Sequence, residues 1–136
     1  MNQTIADDAL DAARSIALPS RLAMKIGKAV TGFDFVLFDW LRYVEERIID
    51  AIMDPNERYL VVNVPPRAGK TTYSGVFLPA WFLGMFPALR VIFVSYSDDY
   101  SLQYGRAVRT ILDKVGKLFG GGVGKLAQSA PDWRRK

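Results

Sequence analysis

The stretch Tyr59–Thr72 reads YLVVNVPPRAGKTT and decides the predicted fold. Its first part, Tyr59–Val64, is an apolar run with the composition of a buried parallel strand, and a Pro-Pro turn ends it. A helix can then start at the tripeptide Gly69-Lys70-Thr71. A strand, a tight loop and a helix N-terminus form the context in which Gly-Lys-Thr binds phosphate, because the loop amides and the helix dipole favour an anion. The sequence therefore predicts a nucleotide-binding loop.

The predicted loop assigns separate roles to its side chains. We expect Lys70 to reach the β- and γ-phosphates of ATP and the hydroxyl of Thr71 to ligate Mg²⁺. The usual motif has a glycine five residues before Gly69, where this chain has Val64. A strand–turn–helix that carries Gly-Lys-Thr without binding nucleotide therefore stays open as an alternative. The candidate cofactor-binding residues are Pro66, Arg67, Ala68, Gly69, Lys70, Thr71 and Thr72.

Composition narrows the chemistry that this chain can perform. Half of its 136 residues are hydrophobic, which is typical of a globular domain. It has no cysteine and no histidine, so oxygen ligands must hold any metal, which suits Mg²⁺. The net charge of +4 is compatible with a nucleic-acid partner. The uncharged stretch Thr71–Leu89 contains two prolines and two glycines, so we interpret it as a buried helix rather than a membrane span.

Strand-like and helix-like segments alternate along the chain. Arg90–Ser95 is a second apolar strand candidate. This alternation predicts an α/β fold with a parallel sheet of the P-loop NTPase type, preceded by N-terminal helices. Such sheets usually hold about five or six strands, so we expect the 136 residues to form only the front half of a longer domain. The predicted helices are Asp7–Ala17, Ser20–Val30, Asp34–Met53, Lys70 to about Leu83 with a bend at Pro79, and Asp99–Val115 capped by Ser97 or Asp98.

These elements predict three regions: a helical arm over residues 1–32, a partial ATPase domain over 33–118, and a glycine-rich, basic tail over 119–136. Gly120–Lys125 in the tail looks like a second phosphate loop, but Leu126 replaces the metal-binding hydroxyl, which favours a linker. Ser95, Tyr96 and Ser97 separate Asp98 from the apolar run Val91–Val94, so we interpret Asp98 as a helix cap rather than a Mg²⁺ ligand. We therefore expect this chain alone to be inactive as an ATPase.

The segment from about Phe38 to Leu112 resembles the N-terminal ATPase region of the large terminase subunits of tailed phages. That family also lacks the first glycine of the loop, as this chain does at Val64. The residues that carry the resemblance are Pro65-Pro66-Arg67, Gly69-Lys70-Thr71, Pro79-Ala80-Trp81, Leu83-Gly84, Pro87, Arg90-Val91-Ile92-Phe93, Ser95-Tyr96-Ser97, Gly105-Arg106 and Val108-Arg109.

The resemblance implies an ATP-driven motor that packs viral DNA into a preformed capsid. It implies catalytic roles for Arg67 and Lys70, with Arg67 stabilising charge on the γ-phosphate. Double-stranded DNA, the portal protein and the small terminase subunit are the implied partners. The full-length protein would be a homo-oligomer in the host cytoplasm. The family's acidic strand, catalytic glutamate and nuclease would lie beyond Lys136. A superfamily-2 helicase or another P-loop DNA translocase, and a non-hydrolysing nucleotide-binding or interaction fragment, remain alternatives.

Overall fold

The computed structural model describes residue 14, residues 16–56 and residues 59–119. Helices account for 65% of these residues. The elements in chain order are α1 (Pro19–Thr31), α2 (Asp39–Met53), α3 (Lys70–Thr72), the π-helical turn (Tyr73–Phe77), α4 (Leu78–Met85), α5 (Asp98–Val115) and a 3₁₀ turn (Gly116–Phe119). Three of them, α3, the π-helical turn and α4, follow one another without a break.

The predicted parallel sheet is wrong, because no strand is present in the part of the chain that the structure describes. Both strand candidates, Tyr59–Val64 and Arg90–Ser95, have no regular secondary structure. Several of their apolar side chains are exposed: Val61 is 83% exposed and Ile92 is 88% exposed. A parallel strand needs neighbours along its edges and cover on both faces. Since the described neighbours are helices, these two segments have no ladder to join.

The core lies where α1, the π-helical turn, α4 and α5 meet. Leu22, Phe77 and Ile111 from three of these elements are fully buried. The indole N–H of Trp81 donates a hydrogen bond of 3.0 Å to the backbone carbonyl of Ile16, which ties α4 to the chain before α1. The helix α1 is therefore part of the same core as the helix that follows the candidate loop.

A proline inside the helix after the loop accounts for the π-helical turn. Pro79 has no N–H to donate to the carbonyl of Gly75, so a regular α-helix would lose a hydrogen bond there. The N–H of Leu78 instead bonds five residues back, to the carbonyl of Tyr73. The chain stays helical from Lys70 to Met85 as a result.

Most predicted helices are present with shifted ends. The helix expected from Asp34 begins at Asp39, and the helix expected from Asp99 begins at Asp98. Ser97 occupies the N-cap position of α5, but its side chain makes no capping hydrogen bond within the described residues. The predicted helix Asp7–Ala17 falls almost entirely outside the described residues, and Gly120–Lys125 falls outside them completely.

Candidate functional site

The loop before α3 turns through two residues in the left-handed region. Arg67 has φ 64°, and Gly69 has φ 76°. Glycine adopts this conformation without strain, whereas a side chain there costs about 1–3 kcal/mol. Among the described residues, Arg67 is the only non-glycine residue with a positive φ. Backbone strain of this kind is concentrated at ligand-binding and catalytic loops.

The start of α3 presents unpaired backbone amides. The first helical hydrogen bond runs from the N–H of Tyr73 to the carbonyl of Gly69, at 3.0 Å. The N–H groups of Lys70, Thr71 and Thr72 have no hydrogen-bond partner within the described part of the chain. Gly69, the N-cap residue, has no side chain that could cap them. These amides, together with the helix dipole, are suited to an anion.

The two cations of the loop are exposed and available to a ligand. Neither Arg67 nor Lys70 forms an ion pair or a side-chain hydrogen bond with any described residue. Thr71 is exposed as well, and its hydroxyl makes no hydrogen bond to the described residues. Within the described residues, Arg67 is therefore a solvated loop residue without a carboxylate partner.

An open pocket of about 320 Å³ lies between the loop and the connection from α1 to α2. Four of the candidate residues line it, namely Arg67, Ala68, Gly69 and Thr72, whereas Pro66, Lys70 and Thr71 do not. The connection contributes mostly apolar side chains and one carboxylate, that of Asp34, which forms an exposed ion pair of 3.3 Å with Lys28. On the side opposite the loop, the pocket is lined by Thr31 at the end of α1, by Phe33, Asp34, Phe35, Val36 and Phe38 of the connection, and by Leu41 of α2.

A buried carboxylate connects the helix after the loop to α1 and α2. Glu45 is 3% exposed. One of its oxygens, Oε2, accepts hydrogen bonds of 2.7 Å from the backbone N–H of Ser20 and from the hydroxyl of Tyr73. The other, Oε1, accepts a hydrogen bond of 2.7 Å from the Ser20 hydroxyl. Glu45 therefore joins α2 to the first turn of α1 and to the first residue of the π-helical turn.

The groups that contact the Glu45 carboxyl are hydrogen-bond donors. Ser20 lies in the first turn of α1, where the helix dipole and free N–H groups favour an anion. Burial and the hydrogen bond to Glu45 together raise the pKa of Tyr73 far above its ordinary value, so the hydroxyl stays a donor. The helical spacing of the apolar residues in α2 predicts that Glu45 lies on the opposite, polar side with Glu46 and Asp50, and this prediction is wrong because Glu45 is buried. Its spacing of four residues from the buried Leu41 was the available signal for the opposite assignment.

Among the described acidic residues, Asp34 lines the pocket beside the loop and the others do not. Asp98 is exposed at the start of α5 and does not line the loop pocket. Within residues 16–56 and 59–119, no three acidic or metal-ligating side chains are grouped to hold a metal ion.

None of the described helices combines the length and apolar character that a membrane crossing requires. No protein-family model, curated protein or solved structure matches this chain.

Proposed function

We propose that the loop Pro66–Thr72 binds the triphosphate of ATP together with Mg²⁺. The observation that carries this proposal is the pair of left-handed residues, Arg67 and Gly69, directly before a helix whose first three N–H groups are unpaired in the described structure. The exposed ammonium of Lys70 stands at that helix start. Because the predicted sheet is absent from the residues that the structure describes, the proposal rests on the loop, the helix start and the Gly-Lys-Thr motif.

Each part of the nucleotide has a proposed place. The phosphates bind the amides of Lys70–Thr72, with the Lys70 ammonium on the β- and γ-phosphates. Mg²⁺ binds the hydroxyl of Thr71, a hard oxygen ligand of the kind that this cation prefers. The base and ribose occupy the adjacent pocket, where the exposed rings of Phe33 and Phe38 offer apolar surface. A volume of about 320 Å³ is at the lower end for a ligand pocket, which suits a base with the phosphates held outside it.

The wider proposal is that the chain is the N-terminal part of a viral DNA-packaging ATPase, a large terminase. It is supported by the resemblance over Phe38–Leu112 and by the net charge of +4. Double-stranded DNA, the portal protein and the small terminase subunit are then the partners, and the host cytoplasm is the compartment. In that motor, Arg67 stabilises the charge that develops on the γ-phosphate during transfer.

A titration with fluorescent ATP in the presence of Mg²⁺ tests the nucleotide proposal. We expect the wild-type chain to bind and Lys70→Ala to bind at least about tenfold more weakly, because it removes a direct charge contact to phosphate. Lys117→Ala is the matched control, since this exposed lysine lies in the 3₁₀ turn and does not line the loop pocket. Equal affinities for wild type and Lys70→Ala would refute the proposal.

A further inference from the structure

The pocket beside the loop has opposite charges among its lining residues. The loop contributes the side chain of Arg67, and the connection from α1 to α2 contributes that of Asp34. No ion pair joins these two residues in the described structure, although both line the same pocket of about 320 Å³. The pocket therefore suits a ligand that has an anionic group for the arginine and hydrogen-bond donors for the carboxylate.

The chain next to Asp34 is packed against two helical elements. The ring of Phe35 lies against the rings of Phe77 and Tyr73, with centroids 5.4 Å and 6.3 Å apart. The Cβ of Phe35 is 3.0 Å from the point that a Cβ on Gly27 would occupy, so this part of the connection lies directly on α1. Because Tyr73 follows α3 without a break, these contacts fix the backbone beside Asp34 relative to the helix that follows the loop.

The Asp34 carboxylate has capacity for further hydrogen bonds. Its Oδ2 atom lies 3.3 Å from Nζ of Lys28, and its Oδ1 atom has no hydrogen-bond partner among the described residues. A carboxylate oxygen accepts about two hydrogen bonds, so Oδ2 can accept another while it keeps Lys28. Both side chains of this ion pair are about three-quarters exposed, and such pairs contribute little to stability. The pair can nevertheless restrict the position of the carboxylate at the pocket.

We infer that Asp34 accepts hydrogen bonds from the 2′- and 3′-hydroxyls of a bound nucleotide. This inference rests on the proposed nucleotide site and specifies its substrate class, a ribonucleoside rather than a deoxyribonucleoside triphosphate. In that site the phosphates lie at the amides of Lys70–Thr72, and the base lies on the apolar rings of the pocket. The ribose joins these two parts, and its hydroxyls are donors for the Asp34 carboxylate.

The ribose matches this carboxylate better than adenine does. Adenine has a single amino group that can donate, whereas the ribose has two adjacent hydroxyls for the two oxygens of a carboxylate. An acidic side chain on the ribose hydroxyls is also the arrangement by which dinucleotide-binding folds recognise this sugar. Asp34 is therefore a specificity residue for the sugar and has no part in phosphate transfer.

Isothermal titration calorimetry with ATP, 2′-dATP and 3′-dATP, each with Mg²⁺, tests the inference. A hydrogen bond to a charged group contributes about tenfold or more to affinity. We expect the wild-type chain to bind ATP about tenfold more tightly than either deoxynucleotide. Asp34→Ala should bind all three with the affinity that wild type has for 2′-dATP. The matched control is Asp39→Ala, because Asp39 is also exposed but does not line the pocket, and it should keep the wild-type preference.

Failure of this inference is distinguishable from failure of the nucleotide proposal. Equal wild-type affinities for ATP and the two deoxynucleotides would overturn the role of Asp34 and leave the phosphate site standing. An equal loss of affinity for all three nucleotides in Asp34→Ala, with circular dichroism unchanged, would show a structural role and overturn the inference as well. A change in the preference for ATP over GTP alone would assign Asp34 to the base instead of the sugar. Absence of binding by all the nucleotides would refute both proposals.

Discussion

Removal of one hydroxyl tests the role of the buried Glu45. Tyr73→Phe deletes the 2.7 Å donor to Glu45 and keeps the ring, whose centroid lies 6.3 Å from that of Phe35. A hydrogen bond to a charged group contributes about 1.5–3 kcal/mol. Glu45 retains two donors from Ser20, so its charge is not left unpaired. We therefore expect a loss near the lower end of that range, about 2 kcal/mol, in the free energy of unfolding.

Urea unfolding followed by tryptophan fluorescence measures this loss, with the buried Trp81 reporting on the core. The control is Tyr43→Phe, because Tyr43 is 65% exposed on the same helix as Glu45 and should change stability by less than about 0.5 kcal/mol. Ser20→Ala removes another donor to the same carboxylate, so the double variant should depart from additivity. Equal stability of Tyr73→Phe and Tyr43→Phe would refute the reasoning.

Three further predictions concern alkaline pH, turnover and the loop arginine. Because the pKa of Tyr73 is raised in the folded state, the contribution of its hydroxyl to the free energy of unfolding is complete below pH 10.0, the ordinary pKa, and falls above that pH as the unfolded state loses protons. The free energy of unfolding should therefore fall less steeply at alkaline pH in Tyr73→Phe than in wild type, and identical pH profiles would contradict this. Phosphate release by the 136-residue chain should equal that of Lys70→Ala, whereas turnover abolished by Asp98→Ala would show that Asp98 is a metal ligand after all. In an intact motor, Arg67→Ala should reduce turnover by ~10³-fold or more with little change in ATP affinity, and Arg67→Lys should rescue poorly; near-normal turnover would exclude a catalytic arginine.

Helical periodicity in the sequence was a reliable guide where a helix buries one apolar face. The spacing of Tyr100, Tyr104, Val108, Ile111 and Leu112 predicts the inner side of α5. The last three are buried and Tyr104 is half-buried, whereas Tyr100 is 42% exposed. The same periodicity located α1 to within one residue at each end and gave the correct end of α2, but the predicted start of α2 at Asp34 is five residues before the observed start at Asp39. These elements make their hydrogen bonds within the segment, so local sequence carries most of the information needed to predict them.

Strand prediction failed because a strand depends on its partners. Tyr59–Val64 and Arg90–Ser95 have the β-branched and aromatic composition of buried strands, yet the described neighbours supply helices and no ladder. Strand propensity describes how well a segment fits a pleated, half-buried surface, so it cannot create that surface. The alternating exposure from Val91 to Tyr96 keeps the period of a strand without the pairing.

Glu45 shows a different limit of sequence reasoning. A glutamate among apolar helical positions is normally assigned to solvent, because burying an unpaired carboxylate is costly. Its burial depends on donors 25 and 28 residues away in sequence, Ser20 and Tyr73. No local pattern announces that those three side chains meet.

The central claim is that the loop amides at the start of α3 bind the phosphates of ATP. Backbone amide resonances of isotope-labelled protein, followed during a titration with Mg²⁺ and ATP, test it most directly. We predict saturable shifts of the amide signals of Gly69, Lys70, Thr71 and Thr72, with smaller shifts for the pocket residues Phe33 and Phe38, and no such shifts in Lys70→Ala at the same concentrations. Unchanged loop amides at millimolar ATP, or shifts confined to other surfaces, would contradict the account.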